Sequence, residues 1–192
     1  MKIRNLLFTV ALLAAGPSFA SWSLDNDASQ VSFVSVKAGD AGEVHRFNEI
    51  SGELSGDGNA SVTIQLASVD TLIPLRDDRM RELLFETNVF PTATLSADID
   101  MDALNDIEPG ANVDMTVTLK LDLRDQKLEL PAEMIVARLG DHRLMVSSRK
   151  PVIVNAASVD LVEGIEALRA VANLPSISKA VPVSFVLTFE ED

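Results

Sequence analysis

Between Asn112 and Leu123 every odd position is apolar and every even position is polar. The odd positions read Val113, Met115, Val117, Leu119, Leu121 and Leu123, against Asn112, Asp114, Thr116, Thr118, Lys120 and Asp122. Successive side chains on a strand point to opposite faces, so this period of two describes a long ribbon with one greasy face and one wet face. At roughly 3.3 Å per residue the run spans about 36 Å. After Arg124-Asp125-Gln126 the pattern resumes on even positions with Leu128, Leu130, Ala132, Met134 and Val136. The interval is short enough for a hairpin turn.

The same alternation recurs at Val62, Ile64 and Leu66; at Leu95, Ala97, Ile99 and Met101; at Leu144 and Val146; and from Val181 to Phe189. A strand is expected over Val31 to Val36, where the apolar parity switches between Phe33 and Val34 and predicts a bulge. Others are expected over Phe47 to Leu54 and at 152–154. Turn residues fall between the runs, at Gly39 to Gly42, Gly56 to Asn59, Glu108 to Gly110 and Gly140-Asp141. Two segments carry helical spacing instead. One is Arg76 to Phe85, with Leu75, Met80, Leu83 and Leu84 near one face. The other is Asp160 to Ala172, with Ser158 and Glu163 as a loose cap and Asn173-Leu174-Pro175 as its stop. The expected fold is all-β with two short helices, an antiparallel β-barrel of about eight strands. A strand near 36 Å is long for a sandwich, and a closed barrel leaves no exposed edge.

The N-terminus predicts export. Lys2 and Arg4 precede the apolar run Leu6 to Ala15, and Ser18-Phe19-Ala20 offers small residues for a signal peptidase. A run of about 10 residues is half of what spans a bilayer. The expectation is a signal peptide over 1–20, cleaved after Ala20, and one domain over 21–192 that is periplasmic or secreted. Loss of Lys2 and Arg4 takes the net charge from −13 to −15. So acidic a surface repels nucleic acid and anionic headgroups, and no stable membrane insertion is expected. An outer-membrane barrel needs aromatic girdles, whereas this chain has no Tyr and one Trp. With no Cys there is no disulfide, thiolate nucleophile or lipoprotein anchor.

Catalytic chemistry is thinly represented. His45 and His142 sit in no metal-spaced motif and read as solvated side chains. No nucleophile elbow, phosphate loop or dinucleotide fingerprint occurs. Asp77-Asp78, between Arg76 and Arg79, reads as the first turn of a helix, where acids oppose the macrodipole and pair with the arginines. Asp98, Asp100 and Asp102 are expected to share the polar face of a strand. No catalytic residue, metal or cofactor is expected, and the chain does not read as an enzyme.

Several short motifs, in order, carry a resemblance. They are Trp22-Ser-Leu-Asp25, Ser29-Gln-Val-Ser-Phe33, Ile50-Ser-Gly-Glu-Leu54, Ala67-Ser-Val-Asp-Thr71, Arg76-Asp-Asp-Arg-Met-Arg-Glu-Leu-Leu-Phe85 and Phe90-Pro91-Thr-Ala93. In this order and spacing the chain resembles the YceI-like family of exported polyisoprenoid-binding proteins with a lipocalin-like barrel. It departs from the family at Leu123-Arg124-Asp125, where many members carry Gly, and in its 158–172 helix and last strand. The resemblance implies an apolar channel for an isoprenoid lipid, such as a quinone tail or a polyprenyl phosphate, and is compatible with a homodimer. Strand parity nominates the lining: Ile64, Leu66, Leu95, Ile99, Met115, Val117, Leu119, Leu121, Leu130, Met134, Val183, Phe185 and Leu187. Phe85 and Phe90 are expected to flank the end near the first helix. Periodicity does not separate a hollow barrel from a filled one. A filled stress or interaction module therefore stands as the alternative, with a lipid-modifying enzyme behind it.

Overall fold

A computed structural model describes residues 21–192; the expected leader, 1–20, lies outside the described residues. Strand β1 (Trp22–Leu24) is followed by the hairpins β2–β3 (Gln30–Lys37 and Ala41–Phe47) and β4–β5 (Ile50–Leu54 and Asn59–Gln65). The short β6 (Val69–Asp70) leads into helix α1 (Pro74–Arg79), which widens into a π-helical turn over Met80–Phe85. Then come β7 (Thr92–Asp98), α2 (Met101–Asn105), β8 (Asn112–Leu123), β9 (Gln126–Gly140), β10 (Arg143–Ser148), β11 (Val152–Asn155), α3 (Val162–Val171) and β12 (Ala180–Glu191).

The sheet closes through its last strand. The order β1-β4-β5-β7-β8-β9-β10-β12 returns to its start because β12 also pairs with β1, with Leu24 opposite Phe189. Eight antiparallel strands thus form a ring, the size at which a barrel interior is just wide enough for side chains or one small guest. Strand β12 is long enough to serve four neighbours. Its C-terminal half pairs with β10 and β1, and its N-terminal half with β11 and β2. From that second half β2, β3 and β6 extend the sheet beside α1.

The β8–β9 ladder runs unbroken from Asn112 opposite Ala137 to Leu123 opposite Gln126, so Arg124 and Asp125 alone make the turn. Both have positive φ, 52° and 59°, as a type I′ hairpin demands. Ala132, Met134 and Val136 on β9 are buried in alternation, as expected. On β8 full burial is confined to Leu119, Leu121 and Leu123, and Val113 is exposed where the strand runs out of the barrel.

Four local expectations are corrected. No bulge interrupts β2, whose register with β3 is continuous from Val31 to Lys37. Its inward set is Val31, Phe33, Ser35 and Lys37, so Val34 and Val36 are the outward residues that disturbed the parity. The irregularity falls instead at Arg143/Leu144 in the β9–β10 pair. Phe47 to Leu54 is two strands, split at Asn48-Glu49. The 95–101 alternation breaks after Asp98. There Asp100 caps α2 by accepting from the backbone N–H of Asp102 and Ala103, while Asp98 pairs with Lys120; the three acids share no strand face. Ser158 is not a cap for α3, which starts after Leu161 without a side-chain acceptor.

Candidate functional site

The ring is not filled by its own side chains. They leave a cavity of about 490 Å³ along its axis. Small side chains, Ala60, Ala93 and Ala97, stand on the neighbouring strands β5 and β7 and leave room in this part of the wall.

Thirteen of the fifteen residues nominated from the sequence line this cavity. Strand β5 supplies Ile64, with Leu66 just after it, and β7 supplies Leu95, with Ile99 just after it. Strands β8 and β9 give Met115, Leu119, Leu121, Leu130 and Met134. Strand β12 gives Val183, Phe185 and Leu187, and the π turn gives Phe85. Two are placed elsewhere. Val117 shares the inward face of β8 but packs into the cluster of Ala97, Leu119, Ala132 and Met134 without reaching the cavity surface. Phe90 lies outside the lining, with its ring 4.7 Å from the Arg124 guanidinium carbon. That cation–π contact holds it against the β8–β9 turn.

Sequence parity missed the part of the lining that helices supply. Leu84 comes from the π turn, and Leu161, Ile165 and Leu168 come from α3 and the residue before it. The 3.6-residue spacing announced that α3 has an apolar face but not what the face covers. The exposed members of the lining are Ile73, Leu75, Val171 and Ala172. They mark an opening between the start of α1 and the end of α3.

Beside this opening is the cavity's polar rim. Lys37 Nζ lies 2.7 Å and Arg76 Nη1 2.6 Å from the same carboxylate oxygen of Glu43. The hydrogen bond from Lys37, together with Arg76, holds the Glu43 carboxyl below its ordinary 4.5. Arg76 also donates to Thr71 O at 2.6 Å. Asp77, expected to pair with the flanking arginines, is buried and accepts instead from the Thr71 N–H at 2.8 Å and from its hydroxyl. Asp78 pairs with Arg81.

His45 overturns its sequence reading. It is 3% exposed and lines the cavity. Glu43, His45 and Phe47 alternate inward on β3, and that parity was the signal available in the sequence. Phe33 meets the imidazole edge-on at 5.3 Å. Burial first, and then the Arg76 cation, push its pKa below the ordinary 6.5, so the ring is neutral at pH 7. Its Nδ1 is buried and has no hydrogen-bond partner among the described residues. His142 is exposed, contacts Glu191 and is not part of the cavity lining. No group of three or more potential metal ligands occurs among the described residues.

A closed eight-stranded antiparallel barrel with an apolar internal cavity and a polar rim is the architecture of a small-molecule-binding barrel. Residues 22–189 match the family model described as YceI-like domain, and the chain belongs to that family. A polyisoprenoid-binding domain from Saccharophagus degradans, implicated in plant cell wall breakdown, is 39% identical, with a TM-score of 0.87 over 89% of this chain and 98% of that one. BcnA from Burkholderia cenocepacia is 20% identical, with a TM-score of 0.67 over 86% of this chain and 98% of that one, a likeness of fold alone. A mutant CJ YCEI protein, 14% identical with a TM-score of 0.51 over 98% of this chain and 93% of that one, likewise shares the fold. Among curated proteins nothing matches.

Proposed function

We propose that this protein is exported as a single barrel domain, residues 21–192, and carries a long isoprenoid lipid, of quinone or polyprenyl type, in the periplasm. The cavity carries this reading: about 490 Å³ bounded almost wholly by aliphatic and aromatic side chains, with its charged groups beside the opening. Each buried CH₂ contributes about 0.8 kcal/mol, so some ten of them give roughly 8 kcal/mol before ordering costs. Met115 and Met134 in the wall have the flexibility to fit a chain of variable shape. The relative from Saccharophagus degradans, described as polyisoprenoid-binding, supports the same reading.

Binding rather than catalysis suits the polar groups present. No carboxylate is hydrogen-bonded to His45 among the described residues, so the arrangement that would make it a general base is missing. The test is extraction of freshly purified protein with organic solvent, followed by mass spectrometry. A co-purifying prenyl lipid is expected. If extraction yields none and neither added quinone nor added prenyl phosphate binds, the carrier reading fails.

A further inference from the structure

We propose that the cavity mouth selects lipids with an anionic headgroup, phosphate or carboxylate, through Arg79, Arg76 and Lys37. This rests on the carrier reading and narrows it. The charged side chains in the cavity lining are Lys37, Arg76, Arg79 and Glu43, three cations against one anion. That excess stands in a chain of net charge −13, where chance placement favours acids. Glu43 is shared between Lys37 and Arg76. Arg79 has no ion pair or hydrogen-bonded partner among the described residues, although it is half-buried and stands one turn along α1 from Arg76. Asp77 is near in sequence, but it lies outside the lining and is engaged by Thr71.

A second observation is independent of charge. The buried rim nitrogens Arg76 Nε and His45 Nδ1 both lack partners among the described residues, in side chains that line the cavity. A buried donor left unpaired is costly, and a ligand oxygen at the mouth that accepts from the Arg76 Nε–H relieves that cost. A phosphate, with three acceptor oxygens and close to two negative charges, matches a guanidinium fork and a neighbouring donor. A tail filling the apolar barrel leaves its head at this opening. A neutral carbonyl or hydroxyl engages one donor and leaves the surplus cation uncompensated.

The experiment compares heads on one tail. Farnesyl phosphate, farnesoic acid and farnesol are titrated by calorimetry against the wild-type chain, Arg79→Gln and Lys37→Gln, at low and at high salt. In the wild type both anions are expected to bind at least tenfold tighter than farnesol. Their advantage over farnesol should shrink with added salt and fall several-fold in each variant. Farnesol binding as tightly as farnesyl phosphate to the wild type overturns the proposal and leaves the carrier reading intact. So does a preference that survives both variants undiminished. Failure of every farnesyl compound, and of quinone as well, sinks the carrier reading and the headgroup selection with it.

Discussion

Gly164 lies against the backbone of Leu83, so that a Cβ on Gly164 would fall 2.6 Å from the Leu83 carbonyl oxygen and 2.8 Å from Leu84 Cα. This close approach lets α3 lie directly on the π turn. Together they bring Leu84, Phe85, Ile165 and Leu168 into the cavity wall. In an unobstructed helix Gly→Ala stabilises by roughly 1 kcal/mol. Here the obstacle is backbone, which does not yield as a flexible side chain does. Gly164→Ala is therefore expected to destabilise by about 1–3 kcal/mol. For a chain of this size that lowers Tm by several degrees, and ligand affinity should weaken as α3 is pushed off. A rise in Tm on thermal denaturation would contradict the packing described.

The β8–β9 turn separates backbone from side-chain effects at adjacent positions. Arg124 and Asp125 both occupy the left-handed region, which costs a non-glycine residue about 1–2 kcal/mol. Asp125 is exposed, so Asp125→Gly should gain a few tenths to about 1 kcal/mol after allowance for glycine's freer unfolded chain. Arg124→Gly relieves the same strain yet should lose about 2 kcal/mol net. Its guanidinium lies 2.7 Å from Glu86, donates to Leu84 O at 3.3 Å and covers the Phe90 ring. Urea denaturation of the two variants is expected to move the midpoint in opposite directions.

The parts legible in the sequence were those governed by alternation. Strands β8, β9 and β12 declare their inward faces without help, because large apolar residues recur at every second position along each. Parity gave no depth, so Val117 was grouped with Met115 and Leu119 though it stops short of the cavity. Phe90 is expected to flank the cavity end near the first helix, yet its ring answers to Arg124, a partner 34 positions away. Polarity alone suggests solvent for His45, whereas its two-residue spacing from Phe47 places it inside. The closure of β12 onto β1 joins opposite ends of the chain, a pairing that no local pattern encodes.

The small residues of the β5–β7 wall make the cavity adjustable by substitution. Ala97 is buried and lines the cavity. Ala97→Phe is expected to occupy part of the 490 Å³ and to weaken lipid uptake at least tenfold. The vacant volume limits the strain of the larger side chain, so its Tm should fall by no more than several degrees. Uptake measured by displacement of an apolar fluorophore decides the matter. Unchanged uptake in a folded Ala97→Phe would place the ligand elsewhere.

His45 makes stability depend on pH in a window set by its environment. The groups around it are Arg76, Lys37, Glu43 and Asp77. Burial, foremost, and Arg76 depress its folded pKa below the 6.5 it has when unfolded. Between these two values the unfolded chain binds a proton that the native chain refuses, so stability falls as pH drops below 6.5. The Glu43 carboxyl, held below 4.5, adds its own loss only at lower pH. His45→Phe removes the first titration and keeps the ring packed against Phe33. The variant should therefore lose less Tm than the wild type between pH 7.5 and pH 5.5, and the two curves should run parallel above pH 7.5. Equal losses over the acidic interval would show that the imidazole is not held neutral by its surroundings.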